Sequence, residues 1–413
     1  MAGPLEGVRV VDLSSMLSGP WAADILGDQG ADVIKVEEPG RGDHVRLLAK
    51  DAGGLPVMFL NINRSKRSIT LDLKSDGGIA ALLRLYERAD VVVQNFRPGV
   101  VDRLGVGYEA ARAVNPRIVY LSISGFGEQG PYADRRVYDP VVQALSGLTT
   151  VQAGSDDVRP RLVRTVLPDK LTAVTAAQAV TAALLARERT GEGQHVRLSM
   201  LDAMLAFLWA SDMGAHTLRE RDVEPERAAS FIDLIYETAD GYLTVSTMRD
   251  AEWRVFCTAV GREDMIDDPR FATAAERDLN VDERLEFVQE QLRARSAAQW
   301  LEILPAHQVP CAPAMRRRDV IHHPQVLASG ILLESEHPAA GPLRQTRTAA
   351  RFEGTVPDPP RGAPLIGQHN VEVLREVGYS DDEIDALVAS GAVGAEHHDA
   401  APEGVAGLSA VPH

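Results

Sequence analysis

A chain of 413 residues exceeds the size at which one hydrophobic core stops growing, so two domains are expected, and 45% apolar residues suffice to fill them. A formal net charge of -16 argues against a nucleic-acid or anionic-membrane partner, since both require an extended basic surface. The two cysteines, Cys257 and Cys311, stand in dissimilar surroundings, which excludes a disulfide framework and a cysteine-based zinc site.

The N-terminal MAGPLEGV has no basic run followed by an apolar core, so no signal peptide is read there and a cytoplasmic location is expected. Residues 8–13 form an apolar, β-rich run, followed by a helical stretch at 21–27 and a second strand at 32–37, a βαβ unit. Further strands are expected at 68–73, 91–95 and 118–124, alternating with helices at 77–88 and 100–114. Such alternation implies a doubly wound, parallel, Rossmann-like sheet. The first turn, DLSSMLSGP, lacks G-x-G-x-x-G, so a nicotinamide site is not expected although Glu37 ends the second strand where a ribose-binding acid would stand.

Basic residues punctuate the strand ends: Arg64, Lys66, Arg67, Lys74, Arg97, Arg103, Arg135 and Arg136. Ligands of an open α/β sheet sit outside the carboxyl ends of its strands, so cations there can receive phosphates; each one taken alone reads equally as a solvated surface charge.

The stretch RTVLPDKLTAVTAAQAVTAALLARERTGEGQ at 164–194 places one carboxylate, Asp169, where an Ala-rich helix at 170–189 begins, and the helix closes on Gly191 and Gly193. By itself Asp169 reads as a helix cap. The uncharged run at 171–186 is too short for a membrane span and reads as a buried helix. HVRLSM then alternates like a strand, and LDAMLAFLWA returns to helix. Residues 1–218 are therefore expected to make the first part of a large α/β domain, with 219–228 as a charged linker. A smaller α+β domain at 229–330 opens with LIYETADGYLTV, a hairpin turning at Asp240 and Gly241, followed by helices at 251–260, 281–293 and 297–306. Residues 331–392 are expected to return to the large domain, with short helices at 372–377 and 381–388. The tail at 393–413 is poor in bulky apolar residues and expected to be mobile, and its His397 and His398 read as tail composition rather than a metal site.

Several motifs occur in order: LEGVRVVDLSSMLSGPWAADILGDQGADVIKVEEPGRGD, NRSKRSITLDLK, NFRPGVVDRLG, SISGFGEQGPY, YDPVVQALSG, PDK, RTGEGQHVRLSMLDAML and PLIGQHNVEVLREVGYSDDEI. Together they resemble the class III CoA-transferases, the CaiB/BaiF family that includes formyl-CoA transferase, carnitine CoA-transferase and α-methylacyl-CoA racemase. The resemblance spans nearly the whole chain and implies an interlocked homodimer. It implies that Asp169 is the catalytic carboxylate and that Leu17, Ser18, Lys74, Asn95, Phe96, Arg103, Arg136 and Tyr138 contact coenzyme A; Arg97 joins them as a strand-end cation. Coenzyme A then enters as an acyl-CoA substrate together with a carboxylic acid, with no permanently bound cofactor and no metal.

Three positions depart from the family pattern. Glu38 stands where formyl-CoA transferase has an Arg that contacts the coenzyme, and Leu17 stands where that enzyme has a Gln. The segment ERAASFIDLIYE has no glycine where related transferases carry a glycine-rich loop, which points away from formyl-CoA or oxalate specificity. In the racemase branch a His partners the matching Asp, and that His falls at Tyr138; an ordinary phenol, with a pKa near ~10, is a poor base at neutral pH. A transferase is therefore expected over a racemase. A noncatalytic acyl-CoA-binding protein would have no use for Asp169.

Overall fold

A computed structural model describes residues 2–48, 54–219 and 235–395. In chain order it runs β1 (Arg9–Asp12), α1 (Ser18–Gly27), β2 (Asp32–Glu37), α2 (Val57–Ile62), β3 (Lys66–Thr70), α3 (Asp76–Glu87), β4 (Val91–Gln94), α4 (Val100–Arg103), α5 (Tyr108–Val114) and β5 (Val119–Ser124). Next come α6 (Asp139–Leu145), α7 (Leu148–Ala153), α8 (Leu167–Thr190), β6 (Gln194–Ser199) and α9 (Met200–Trp209). The strands pair in parallel in the order β3-β2-β1-β4-β5-β6. Order reverses between β1 and β4, and the crevice outside the carboxyl ends at such a point is where doubly wound sheets hold ligands.

The sheet is buried on both faces, which is why its central strands read as unbroken valine and isoleucine runs rather than alternating ones. One face presents Val11, Ile34, Val92 and Tyr120 to Leu82, Leu85 and Tyr86 of α3. The other presents Val10, Val33, Val91, Val93 and Leu121 to Ala22, Ala23 and Leu26 of α1 and to Ala173, Ala176, Ala177, Val180 and Leu184 of α8. Alanine on the facing sides of α1 and α8 lets the two helices approach closely, bringing their N-terminal ends to the same edge of the sheet.

The described chain forms two compact units. The larger takes the described residues of 1–146, 164–207 and 329–413; the smaller takes those of 147–163 and 208–328. Within the smaller, β7 (Ile235–Glu237) and β8 (Tyr242–Val245) make the expected hairpin, and β9 (Cys311–Pro313) adds a third antiparallel strand. Trp253, Phe256, Phe271, Phe287 and Trp300 form its core.

Three differences from the sequence reading have physical causes. β3 begins at Lys66 rather than 68, because Lys66 and Arg67, read as exposed cations, are buried in ion pairs. The single helix expected at 100–114 is two, α4 and α5, separated by Gly105 in a left-handed conformation, φ +71°. A hairpin of β10 (Leu332–His337) and β11 (Gly341–Thr346) escaped notice because its charged residues mask the strand alternation. Most of the linker at 219–228, and residues 396–413 of the tail with His397 and His398, lie outside the described residues. No described helix is long and apolar enough to cross a membrane.

Candidate active site

The loop leaving β1 is held by side chains. Asp12, fully buried, accepts from the Ser14 amide at 3.0 Å, and Lys35 Nζ donates to the Ser14 carbonyl at 3.0 Å. Asn95, just past β4, accepts from the Ser15 amide at 2.9 Å and donates to the Ser15 carbonyl at 2.7 Å. Met16 takes a left-handed φ of +70°, unusual for a non-glycine residue, and its amide donates to Asp43 Oδ1 at 3.1 Å. The chain then enters α1 at Ser18. A Cβ on Gly19 would lie 2.4 Å from Ser14 Oγ, so only glycine lets the loop fold against the helix start.

Asp169 is the third residue of α8, after Pro168; the capping position belongs to Val166, which makes no side-chain cap bond. The helix-cap reading of Asp169 is thereby corrected: the helix begins at Leu167, not beyond Asp169. Its partners come from elsewhere. Asp139, the first residue of α6, accepts from the Asp169 amide through Oδ2 at 3.2 Å and from Gln143 Nε2 through Oδ1 at 2.6 Å. Gln143 Nε2 also donates to the Thr165 carbonyl at 3.1 Å, so α6 fixes the entry into α8. Burial, reinforced by the Asp139 charge, pushes the Asp169 carboxyl up to about 6, and a hydrogen bond from the Ser18 backbone amide opposes the rise. Burial also raises Asp139, against the pull of Gln143 and the Asp169 amide. At neutral pH Asp169 is thus mainly anionic yet more basic than an ordinary carboxylate, and the N-terminus of α8 supplies partial positive charge beside it.

The other expected site residues differ in burial and in partners. Leu17 and Ser18 are buried at the start of α1, and the half-buried Phe96 fixes its amide to Gln94 Oε1 at 2.8 Å. Arg97, Arg103 and Arg136 are exposed and have no ion-pair partner among the described residues. Tyr138 precedes α6 with 68% of its surface exposed. Lys74 is exposed with its Nζ 3.6 Å from Glu38, so the acid at the departing position engages one of the expected coenzyme contacts.

Arg64, Lys66 and Arg67 do not belong to this group. Arg64 pairs with Asp28, Lys66 with Asp12 at 2.8 Å, and Arg67 with Asp32, Glu372 and Glu376 at 2.6, 2.7 and 2.7 Å. They precede or open β3, and their charges are already neutralised by these pairs. Glu37 is likewise committed: Arg46 binds it bidentately at 2.7 and 2.9 Å, Ser68 donates at 2.6 Å, and these contacts hold its carboxyl down to about 2 against the opposing effect of burial. It is not free for a ribose hydroxyl.

Residues 5–370 match CoA-transferase family III. The chain belongs to this family. It is 32% identical over 398 residues, 94% of this chain and 90% of the relative, to succinyl-CoA:glutarate CoA-transferase of Homo sapiens. To acetyl-CoA:oxalate CoA-transferase of Acetobacter aceti it is 36% identical over 339 residues, 81% of this chain and 86% of the relative. A crystal structure of a CaiB/BaiF family protein from Brucella suis superposes with a TM-score of 0.77 at 30% identity, covering 91% of this chain and all of that one. The chain is therefore a family III CoA-transferase, and enzymes of this family use CoA thioesters as substrates.

In this CoA-transferase, sequence reasoning passed over Asp139. The signal was present in YDP, an acid immediately before proline at a helix start, yet nothing in one sequence pairs it with a residue thirty positions later. Among the described residues no group of three or more His, Cys, Asp or Glu side chains is placed to hold a metal ion.

Proposed function

We propose that this transferase moves coenzyme A from an acyl-CoA donor to a free carboxylic acid through covalent intermediates on Asp169. The Asp169 carboxylate attacks the donor's thioester carbonyl; the C–S bond breaks, leaving a mixed anhydride and CoA thiolate. The thiolate attacks the Asp169 carbonyl of the anhydride, forming an aspartyl-CoA thioester and releasing the donor as its free carboxylate. The acceptor carboxylate then attacks this thioester, giving a second anhydride and thiolate. Attack of the thiolate on the acceptor's acyl carbon yields the new acyl-CoA and restores Asp169. No proton is gained or lost in the cycle.

The observation that carries this reading is the environment of Asp169: half-buried, its amide bonded to a second carboxylate, and at a helix N-terminus, with the Ser18 amide acting to lower its raised pKa. Burial and the Asp139 charge raise its basicity, hence its nucleophilicity, while leaving it largely ionised at pH 7. The Ser18 amide is a donor suited to the oxyanion that forms when the Asp169 carbonyl is attacked. In the same reading the phosphates of coenzyme A meet Lys74, Arg97, Arg103 and Arg136, its chain passes Leu17, Phe96 and Tyr138, and the enzyme works in the cytoplasm as an interlocked homodimer. The name of the succinyl-CoA:glutarate relative supports testing dicarboxylic acids such as glutarate first in an acceptor screen, ahead of oxalate.

The test is hydroxylamine trapping. Incubation with an active donor should yield a hydroxamate at Asp169, identified by peptide mass. An active enzyme that gives no adduct there would refute the covalent route.

A further inference from the structure

We propose that Asn95 is a positioning residue for CoA transfer: by gripping both main-chain groups of Ser15 it fixes the β1–α1 loop, and through it the aim of the Ser18 amide on Asp169. The inference rests on the reading of Asp169 as the nucleophile and assigns Asn95 a role other than the coenzyme contact implied by resemblance.

The loop's amides go to side chains rather than to neighbouring backbone. Ser14, Ser15 and Met16 donate to Asp12, Asn95 and Asp43 at 3.0, 2.9 and 3.1 Å. Asn95 differs from the other two in kind. It comes from the end of β4, across the reversal point of the sheet, and it both accepts from and donates to the same residue, the return bond to the Ser15 carbonyl being 2.7 Å. A planar amide bonded to both the N–H and the C=O of one residue fixes the two peptide planes that flank it, in orientation as well as position. Asn95 Cγ also lies 3.6 Å from the position a Cβ would take on Gly19, so it abuts the first turn of α1 directly.

The anchor is itself rigid. Gln94 accepts from the Phe96 amide at 2.8 Å and donates to Ser122 Oγ on β5 at 2.8 Å, so the backbone on either side of Asn95 is tied to the sheet. At the other end of the clamp, Met16 keeps its left-handed φ of +70° because the residues before it are over-determined. Three residues after Ser15 the chain enters α1, which packs against α8 in one core, and the Ser18 amide at that entry acts on the Asp169 carboxyl to lower its pKa. Release of Ser15 frees the strained turn to relax and the amide to drift, and a displacement of about 1 Å in a positioned group costs on the order of 100-fold in rate.

Asn95 is also the member of the clamp that can be altered cleanly. Asp12 and Asp43 are buried against Lys35 and Lys66, and removing either would strand a buried charge. Asn95 is neutral and half-buried.

The experiment compares full-length wild type with Asn95→Ala and Asn95→Asp, using a donor and acceptor that wild type turns over. For Asn95→Ala, kcat should fall about 100-fold while KM for acyl-CoA stays within about threefold, the signature of an interaction expressed in the transition state. Its acidic limb of kcat against pH should move upward as Asp169 loses the amide that opposes its raised pKa. Asn95→Asp keeps the size and the acceptor for the Ser15 amide but cannot donate to the Ser15 carbonyl; it should lose about tenfold in kcat with the same KM. It also serves if the alanine variant does not fold. A rise in KM of tenfold or more with kcat retained would make Asn95 a coenzyme ligand and overturn the proposal, as would unchanged kcat in both variants. Absence of a hydroxamate in wild type would instead fell the nucleophile reading, whereas trapping at Asp169 at the wild-type rate in both Asn95 variants would fell this one alone.

Discussion

The main-chain amide of Asp169 donates to the carboxylate of Asp139 at 3.2 Å, so a second acid orients the first residue turn of α8 while its charge bears on the Asp169 side chain. Like charges held close disfavour joint ionisation. Asp139→Asn keeps an oxygen for the Asp169 amide and removes the charge. The acidic limb of kcat, set by Asp169 near pH 6 in the wild type, should therefore move toward the ordinary carboxylate range, and activity at pH 5 relative to pH 7.5 should rise. A limb that stays in place would show that burial alone raises Asp169.

Asp169→Asn should separate activity from stability. Transfer should fall to background because an amide cannot form the anhydride. Stability should change with pH in a defined direction: a carboxyl raised from 3.8 to about 6 on folding favours the native state most below the unfolded value, and that advantage is lost as pH rises through the folded one. The neutral variant escapes the loss. Discounted for partial exposure, it should be more stable than wild type by on the order of 1–2 kcal/mol at pH 7.5, with the difference closing toward pH 4. Thermal melts at the two pH values decide it.

How far the sequence reveals this site depends on which contacts are local. β2 falls where its apolar run placed it, and α8 was recognisable from its alanines and the glycine that ends it, Gly191 at φ +80°. The carboxylate itself stood out only through the order of its flanking motifs. Lys66 and Arg67 misled because a charged residue reads as exposed unless its partner is known, and their partners Asp12 and Glu376 lie far away in sequence. Asp139 and Asn95 act through bonds to residues 30 and 80 positions distant, which carry no periodicity and no spacing rule.

Lys66→Met tests the corrected assignment of the basic residues. Lys66 Nζ bonds Asp12 at 2.8 Å, the Pro20 carbonyl at 2.7 Å and Asn63 at 2.8 Å, with its side chain fully buried. Removing Lys66 leaves the buried Asp12 only the longer 3.8 Å contact with Lys35 and should destabilise the protein by about 3 kcal/mol. The folded fraction should keep its KM for acyl-CoA. A raised KM in protein of undiminished stability would return Lys66 to the phosphate site.

Subunit exchange tests the interlocked dimer. On α8, Val174 and Leu185 are 51% and 55% exposed in the isolated chain, and apolar residues left open along one helix suit a partner surface. Chains threaded around one another cannot separate without unfolding, so tagged and untagged protein mixed under native conditions should form no mixed dimers over hours. Mixed dimers within minutes would exclude interlocking.

The exposed arginines give the last prediction. Arg103 and Arg136 are exposed and free of ion-pair partners among the described residues of a chain with 59 acidic side chains. Leaving cations unpaired in so acidic a protein is consistent with a substrate that brings the anions. If they meet the phosphates of coenzyme A, Arg136→Ala and Arg103→Ala should each raise KM for acyl-CoA by about tenfold or somewhat more, the worth of one charge-assisted hydrogen bond, with kcat nearly unchanged. The effect should shrink as salt rises from 0.05 to 0.5 M, as for any solvent-exposed charge contact. Dephospho-CoA thioesters, which lack the 3′-phosphate, identify which arginine serves that group: the arginine that meets it should lose its effect on KM with the truncated substrate, and the other should keep it. Equal KM for wild type and both variants at low salt would remove these arginines from the site and leave the phosphates to Lys74 and Arg97.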